Sequence, residues 1–210
     1  MDNLPKYKKS LKELNKYYIR RSVPRTFDGP FSPSIKLQIL LASSMLRMQV
    51  LGDELLSIAN QNYFLSAMST LRMMFEELIA LTFVLERLSS SLEIEKKIVI
   101  LDRAITGRRS GSNVRLKPFN ILSMGEGAEK YLELKYPQFK GMYKEIYEFI
   151  SEYVHPNGPA RFHFWSNDPT TIYFKVPPIV PGDINAIFNY GCLTIGMYQL
   201  IHKTLKRIPL

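Results

Sequence analysis

The stretch YFLSAMSTLRMMFEELIALTFVLERL, Tyr63 to Leu88, decides the fold class. Phe64, Met68, Leu71, Phe75, Leu78, Thr82 and Leu85 recur at intervals of three and four and form one stripe, while Leu65, Arg72, Glu76, Ile79 and Phe83 form the next. A helix that is apolar around so much of its circumference has protein on most sides. The segment therefore predicts the central helix of a bundle.

The same period continues on both sides. Upstream, Ile35, Ile39, Ala42, Leu46 and Val50 place a helix from Ser34 to about Ala59, across Gly52. Before it, Leu4, Tyr7, Leu11, Leu14 and Tyr18 line one face of a lysine-rich helix over 4 to 20, and the proline-rich segment Pro24 to Pro33 ends it. Downstream, Ile94, Ile98 and Leu101 mark a helix from Ser91 to Gly107. A short helix follows at Glu126 to Lys135, then one from Gln138 to His155, which Pro156 and Asn157-Gly158 stop. After Pro177, Pro178 and Pro181 comes a final helix, with Asp183 in its first turn. Between Asp183 and Lys203 lie nineteen residues without Asp, Glu, Lys or Arg, nominally long enough to span a bilayer. Asn185, Asn189, Thr194, Gln199 and His202 within it favour a buried soluble helix.

The segments RFHFW and TIYFKV, around SNDPT, alternate with period two and predict a small β-hairpin near residues 161 to 176. A five-residue loop at 166 to 170 sets Trp165 opposite Thr171, His163 opposite Tyr173 and Arg161 opposite Lys175. One face then carries Arg161, His163, Trp165, Tyr173 and Lys175. The expected architecture is all-α, a bundle of about six helices with this one hairpin. Residues 1–32 form a basic N-terminal helix and proline-rich linker, and residues 33–210 the bundle domain with the hairpin inserted.

The 210 residues carry 28 Lys and Arg against 19 Asp and Glu, a net charge of +9. The excess is local: residues 1–27 hold +6, residues 103–117 hold +5, and the remainder is slightly acidic. Such patches suit phosphate, nucleic acid or anionic surfaces, and equally a solvated helix and loop. The basic helix also admits peripheral attachment to an anionic membrane. The first residues lack the apolar core of a signal peptide, so the expected compartment is the cytoplasm, with no integral membrane association. One cysteine, Cys192, excludes an internal disulfide and a cysteine-based zinc cluster. The sequence contains no glycine-rich phosphate loop, dinucleotide fingerprint, HExxH or GxSxG motif, and no cofactor or metal is expected.

Three groupings can carry chemistry. Arg72 and Glu76 stand one turn apart on the central helix, which suits either an ion pair joining helices or a polar pocket inside the bundle. Ser151 and His155 share a face at the end of another helix, where the dipole favours imidazolium. His155 then serves as a general acid or base or an anion contact, with Asn157 beside it, or it caps the last carbonyls. The third grouping is the hairpin face. Aromatic rings interleaved with cations are what single-stranded nucleic acid binding uses, and they equally pack under a neighbouring helix or a second subunit.

Leu71-Arg72-Met73-Met74-Phe75-Glu76-Glu77-Leu78, followed by Phe149-Ile150-Ser151-Glu152-Tyr153-Val154-His155-Pro156 and a hairpin, resembles a family of bacterial helical domains of unknown function. More remotely, it is similar to the HEPN superfamily. The resemblance covers residues 33 to 205 in layout and rests on Arg72, Glu76, Ser151, His155 and Pro156. It implies that the Arg-xxx-Glu helix and the His-Pro helix end converge in one pocket. It also implies a homodimer that binds RNA or a nucleotide, including metal-independent ribonucleases of toxin-antitoxin and antiviral systems with an antitoxin-like partner. In the ribonuclease motif an Arg shortly precedes the His; here Phe149, Ile150 and Ser151 stand there, leaving Arg72 as the cation. The catalytic set implied is His155, Arg72, Glu76 and Ser151, with Asn157, Arg161, His163, Trp165, Tyr173 and Lys175 binding ligand. The alternative is a non-catalytic interaction or regulatory module in which the pair and the histidine are structural.

Overall fold

A computed structural model describes residues 3–17, 32–61, 63–106, 121–154, 165–167, 172–174 and 181–210. Seven α-helices make up almost all of it: α1 Leu4–Asn15, α2 Pro33–Asn60, α3 Phe64–Ser89, α4 Ile94–Thr106, α5 Ile121–Lys135, α6 Met142–Val154 and α7 Pro181–Leu205. The all-α expectation holds, and α3 is the centre, packing against α2, α4, α5, α6 and α7. Every member of its first stripe is buried, from Phe64 to Leu85. On the second stripe only Ile79 is fully buried, while Arg72 and Glu76 lie half-buried at the edge. The uncharged run in α7 is core as well: Ile187, Ile195, Tyr198 and Ile201 are wholly inaccessible. Among the described residues no helix is long and apolar enough to cross a membrane.

Local chemistry accounts for the helix limits. Ser32 caps α2 by accepting the Ile35 amide at 3.3 Å, with Pro33 in the first turn. Helix α5 begins five residues before the expected Glu126. Gly125 and Gly127 weaken the local helical signal, but burial of Met124, Ala128 and Leu132 carries the helix through them. Conversely, the helix expected from Gln138 is divided. A single 3-10 turn, Pro137–Phe139, is followed by Gly141 at φ +74°, and regular helix starts only at Met142. That left-handed backbone favours glycine and cannot belong to an α-helix.

Helix α1 sits in a fitted groove between α2 and α7. Tyr7 and Leu14 are completely buried, while Lys6, Lys8, Lys9 and Lys12 point to solvent. Gly52 and Gly191 make the close approach possible, and the Tyr7 hydroxyl donates to the Gly52 carbonyl at 2.9 Å. On the other side of α2, Lys36 reaches Asp102 of α4 at 2.7 Å, a largely buried ammonium joining the two helices.

The small hairpin expected near residues 161 to 176 is not seen as drawn. Trp165–Asn167 (β1) and Ile172–Phe174 (β2) pair antiparallel over three residues, with Trp165 opposite Phe174, Ser166 opposite Tyr173 and Asn167 opposite Ile172. Four residues, 168 to 171, separate the strands rather than five. The register is slipped by an odd number of positions, which exchanges the faces of one strand relative to the other. The common face expected for Arg161, His163, Trp165, Tyr173 and Lys175 does not follow from this pairing. Arg161, His163 and Lys175 themselves lie outside the described residues.

Candidate functional site

Arg72 and Glu76 meet as their spacing on α3 requires: Arg72 Nε donates to Glu76 Oε1 at 2.8 Å. The guanidinium also lies over the ring of Tyr147 on α6, 5.9 Å from its centroid. The pair is therefore an inter-helix contact as well as a local one. Its side chains are 19% and 33% exposed, so water screens the Coulomb attraction. The Tyr147 face adds a cation–π contribution of about 0.5–1 kcal/mol.

Helix α6 runs antiparallel to α3, as three contacts show. Thr82 and Tyr143 hydroxyls are 2.7 Å apart, Arg72 meets Tyr147, and the Phe64 and Tyr153 rings are 5.1 Å apart. Ser151 stands one turn beyond Tyr147, and its buried hydroxyl has no hydrogen-bond partner among the described residues. Phe64 is eight residues from Arg72, or about 12 Å of helical rise. The ion pair thus lies at mid-height, beside Tyr147, rather than at the Tyr153 end of α6. Of the four catalytic candidates, Arg72 and Glu76 come together, and Ser151 is on the helix that faces them. His155 and Asn157 lie outside the described residues, as do the implied partners Arg161, His163 and Lys175; Trp165 and Tyr173 are described by their backbone alone.

Tyr147, which carries Arg72 on its ring, also lines a cleft that sequence reasoning missed. The cleft measures about 290 Å³ and opens between α3, α5 and α6, with Phe75, Ile79, Ile121, Tyr143 and Tyr147 as walls. Gly125, Glu126, Glu129 and Lys144 complete the lining. The floor is well anchored: Tyr143 is buried, packs on Phe75 at 5.1 Å and shares a hydrogen bond with Thr82. Burial pushes the Tyr143 phenol far up, and the charge of Glu129 adds to it, so the group stays a neutral hydroxyl. Lys144 leans along its own helix to Glu148 at 3.8 Å. Among the described residues neither Glu126 nor Glu129 enters an ion pair. The cleft therefore offers aromatic surface and an excess of carboxylate. Its one signal in the sequence is Gly125-Glu126-Gly127 inside a helical pattern, and a helix begun at Glu126 leaves Gly125 out.

Across the bundle a second polar cluster is buried. The Tyr198 hydroxyl donates to Ser44 Oγ at 3.0 Å, and His202 Nε2 lies 3.3 Å from the Leu41 carbonyl. Burial pulls the His202 pKa down to about 4, opposed by the Leu41 carbonyl and assisted by Lys206. A neutral ring beside an acceptor-only carbonyl carries its proton on Nε2. Among the described residues no three His, Cys, Asp or Glu side chains are placed to hold a metal ion. No family model, curated protein or solved structure matches the chain.

Proposed function

We propose that this chain is a HEPN-like helical domain that binds RNA or a nucleotide at the α3–α6 edge. The observation that carries the reading is the Arg72 guanidinium, half-buried and seated on Tyr147 at the side of an aromatic cleft. A fixed guanidinium suits a phosphate, and aromatic walls suit a base. Glu76 holds the Arg72 fork in place through Nε. In the catalytic form of this reading, cleavage needs no metal: His155 moves the protons with Ser151 on the same helix, and Arg72, held by Glu76 at the level of Tyr147, must reach along α6 to stabilise the charge developing on phosphate. Cytoplasmic residence, a homodimer and an antitoxin-like partner belong to the same proposal.

Labelled RNA incubated with the full chain in EDTA tests the catalytic form. Wild type is expected to cut the strand and His155→Ala to leave it intact; intact RNA with both proteins overturns cleavage. A second reading, the non-catalytic interaction module, has its own support in the Arg72–Glu76 pair, whose partners lie on one helix and brace α6. It predicts that Arg72→Ala lowers the melting temperature while no RNA binds at low salt. RNA binding that Arg72→Ala weakens without a matching loss of stability overturns that module.

A further inference from the structure

The cleft beside Arg72 has the wrong charge for a phosphate and the right one for a donor edge. Tyr147 is its partly exposed ring, backed by the buried Phe75 and Tyr143, and α5 presents Glu126 and Glu129 one turn apart on the same side. Glu129 is the half-buried member of that pair, and its charge reaches the Tyr143 hydroxyl at the floor; Glu126 is exposed at the mouth. Gly125 keeps the α5 wall thin: a Cβ built on it meets nothing within 4 Å among the described residues.

A carboxylate presents two acceptor oxygens and no donor, so it selects a ligand edge with two neighbouring N–H groups. Among the RNA bases guanine has that edge, N1–H beside N2–H. Adenine and cytosine put a ring acceptor next to their amine, and uracil has one N–H between two carbonyls. An acceptor turned toward Glu129 is repelled, and a flat base has the partly exposed Tyr147 ring to lie against.

We infer that the α3–α5–α6 cleft is a guanine site, in which Glu129 takes the N1–H and N2–H edge while Arg72, across Tyr147, meets the adjoining phosphate. The inference rests on the nucleotide reading and adds the base to it. The cleft volume, about 290 Å³, is near the lower end of small-ligand pockets, roughly 300 Å³ upward, which suits a single base.

The test uses the full chain and fluorescein-labelled heptamers, U3GU3, U3AU3, U3CU3 and U7, 2′-fluoro throughout to prevent cutting by 2′-hydroxyl attack. Anisotropy is read at low salt. U3GU3 is expected to bind roughly tenfold or more tightly than the other three, and inosine in place of guanine, lacking the N2 amine, to lose most of that margin. Glu129→Gln should bring U3GU3 to the level of U7. Gly125→Leu should do the same by filling the cleft, with a melting temperature no lower than wild type, because leucine is the better helix former. Arg72→Ala should weaken all four strands alike. Equal binding of the four strands by wild type overturns the guanine assignment and leaves the nucleotide reading standing. A guanine preference that survives both Glu129→Gln and Gly125→Leu also overturns it. Failure of every strand to bind overturns both.

Discussion

Glycine is used in opposite ways on the two sides of this bundle. Between α1, α2 and α7, Gly52 and Gly191 create room that the protein's own side chains take up. A Cβ on Gly191 would lie 2.6 Å from Tyr7 Cε2, and one on Gly52 would lie 2.6 Å from Leu11 Cδ1. Between α3, α5 and α6, Gly125 creates room with nothing within 4 Å among the described residues. Polar groups differ as well. Tyr7, Tyr198 and His202 Nε2 each meet an oxygen inside the first region, where His202 Nδ1 alone of that ring is left without a partner among the described residues, whereas among the described residues the cleft's Glu126 and Glu129 enter no ion pair. Space filled from within is architecture, and space left open beside carboxylates that form no ion pair among the described residues is where a ligand gains the most by entering.

The largest effect is expected where the filled side is emptied. Tyr7→Ala removes a wholly buried ring that packs on Phe188 at 5.2 Å, and with it the hydrogen bond to Gly52. The loss should be about 3–5 kcal/mol, read from urea or thermal unfolding of the full chain. A loss below 1 kcal/mol would mean that α1 is peripheral to stability and the first region is not close-packed in solution.

Acid gives the next largest effect. The ordinary histidine value is 6.5, and burial holds His202 at about 4, so between those values the unfolded chain binds a proton that the folded chain refuses. Stability from this source is complete above pH 6.5 and is lost as pH falls toward 4, about 3 kcal/mol in all. Tyr198 and Tyr17 pack against the ring, which is buried, so charging it works against its desolvation. Subtracting the melting curve of His202→Asn across the same pH range isolates this contribution. Parallel slopes in wild type and variant would show that His202 is hydrated.

The helices were legible in the sequence because a 3.6 period repeated over many turns outweighs single residues. The α3 stripe and the α7 run are read off directly. Where one residue decides, legibility fails. Gly125 and Gly127 hid the first turn of α5, and Gly141 cut a helix that Phe139 and Met142 had extended. The strand register failed because pairing only three residues long specifies its register weakly, and loop length then sets it. For the site, Arg72 and Glu76 announced each other by spacing, while Tyr147 is a contact across 75 positions of sequence. His202 was legible as a polar residue in an apolar run, but its partner is a backbone carbonyl 161 residues away. A cleft is harder still, because it is made of what side chains do not fill.

The smallest effect gives the sharpest test of the comparison, because its sign differs between the two regions. Replacing a mid-helix glycine by alanine stabilises a helix by about 1 kcal/mol when the methyl meets nothing. Gly125→Ala should gain this, as should Gly196→Ala, which has open space at its Cβ on the same helix as Gly191. At Gly191 the methyl meets the edge of the Tyr7 ring, which is completely buried and has no room to swing aside. Overpacking of that kind costs about 1–3 kcal/mol, which outweighs the propensity gain. Gly191→Ala should therefore melt a few degrees below wild type, and Gly125→Ala and Gly196→Ala a few degrees above, at roughly 2–4 °C per kcal/mol for a chain of this size. If all three rise together, the groove around Tyr7 yields and the filled side is looser than its geometry. If Gly125→Ala falls while Gly196→Ala rises, something already occupies the cleft in the free protein, and the open side is not open.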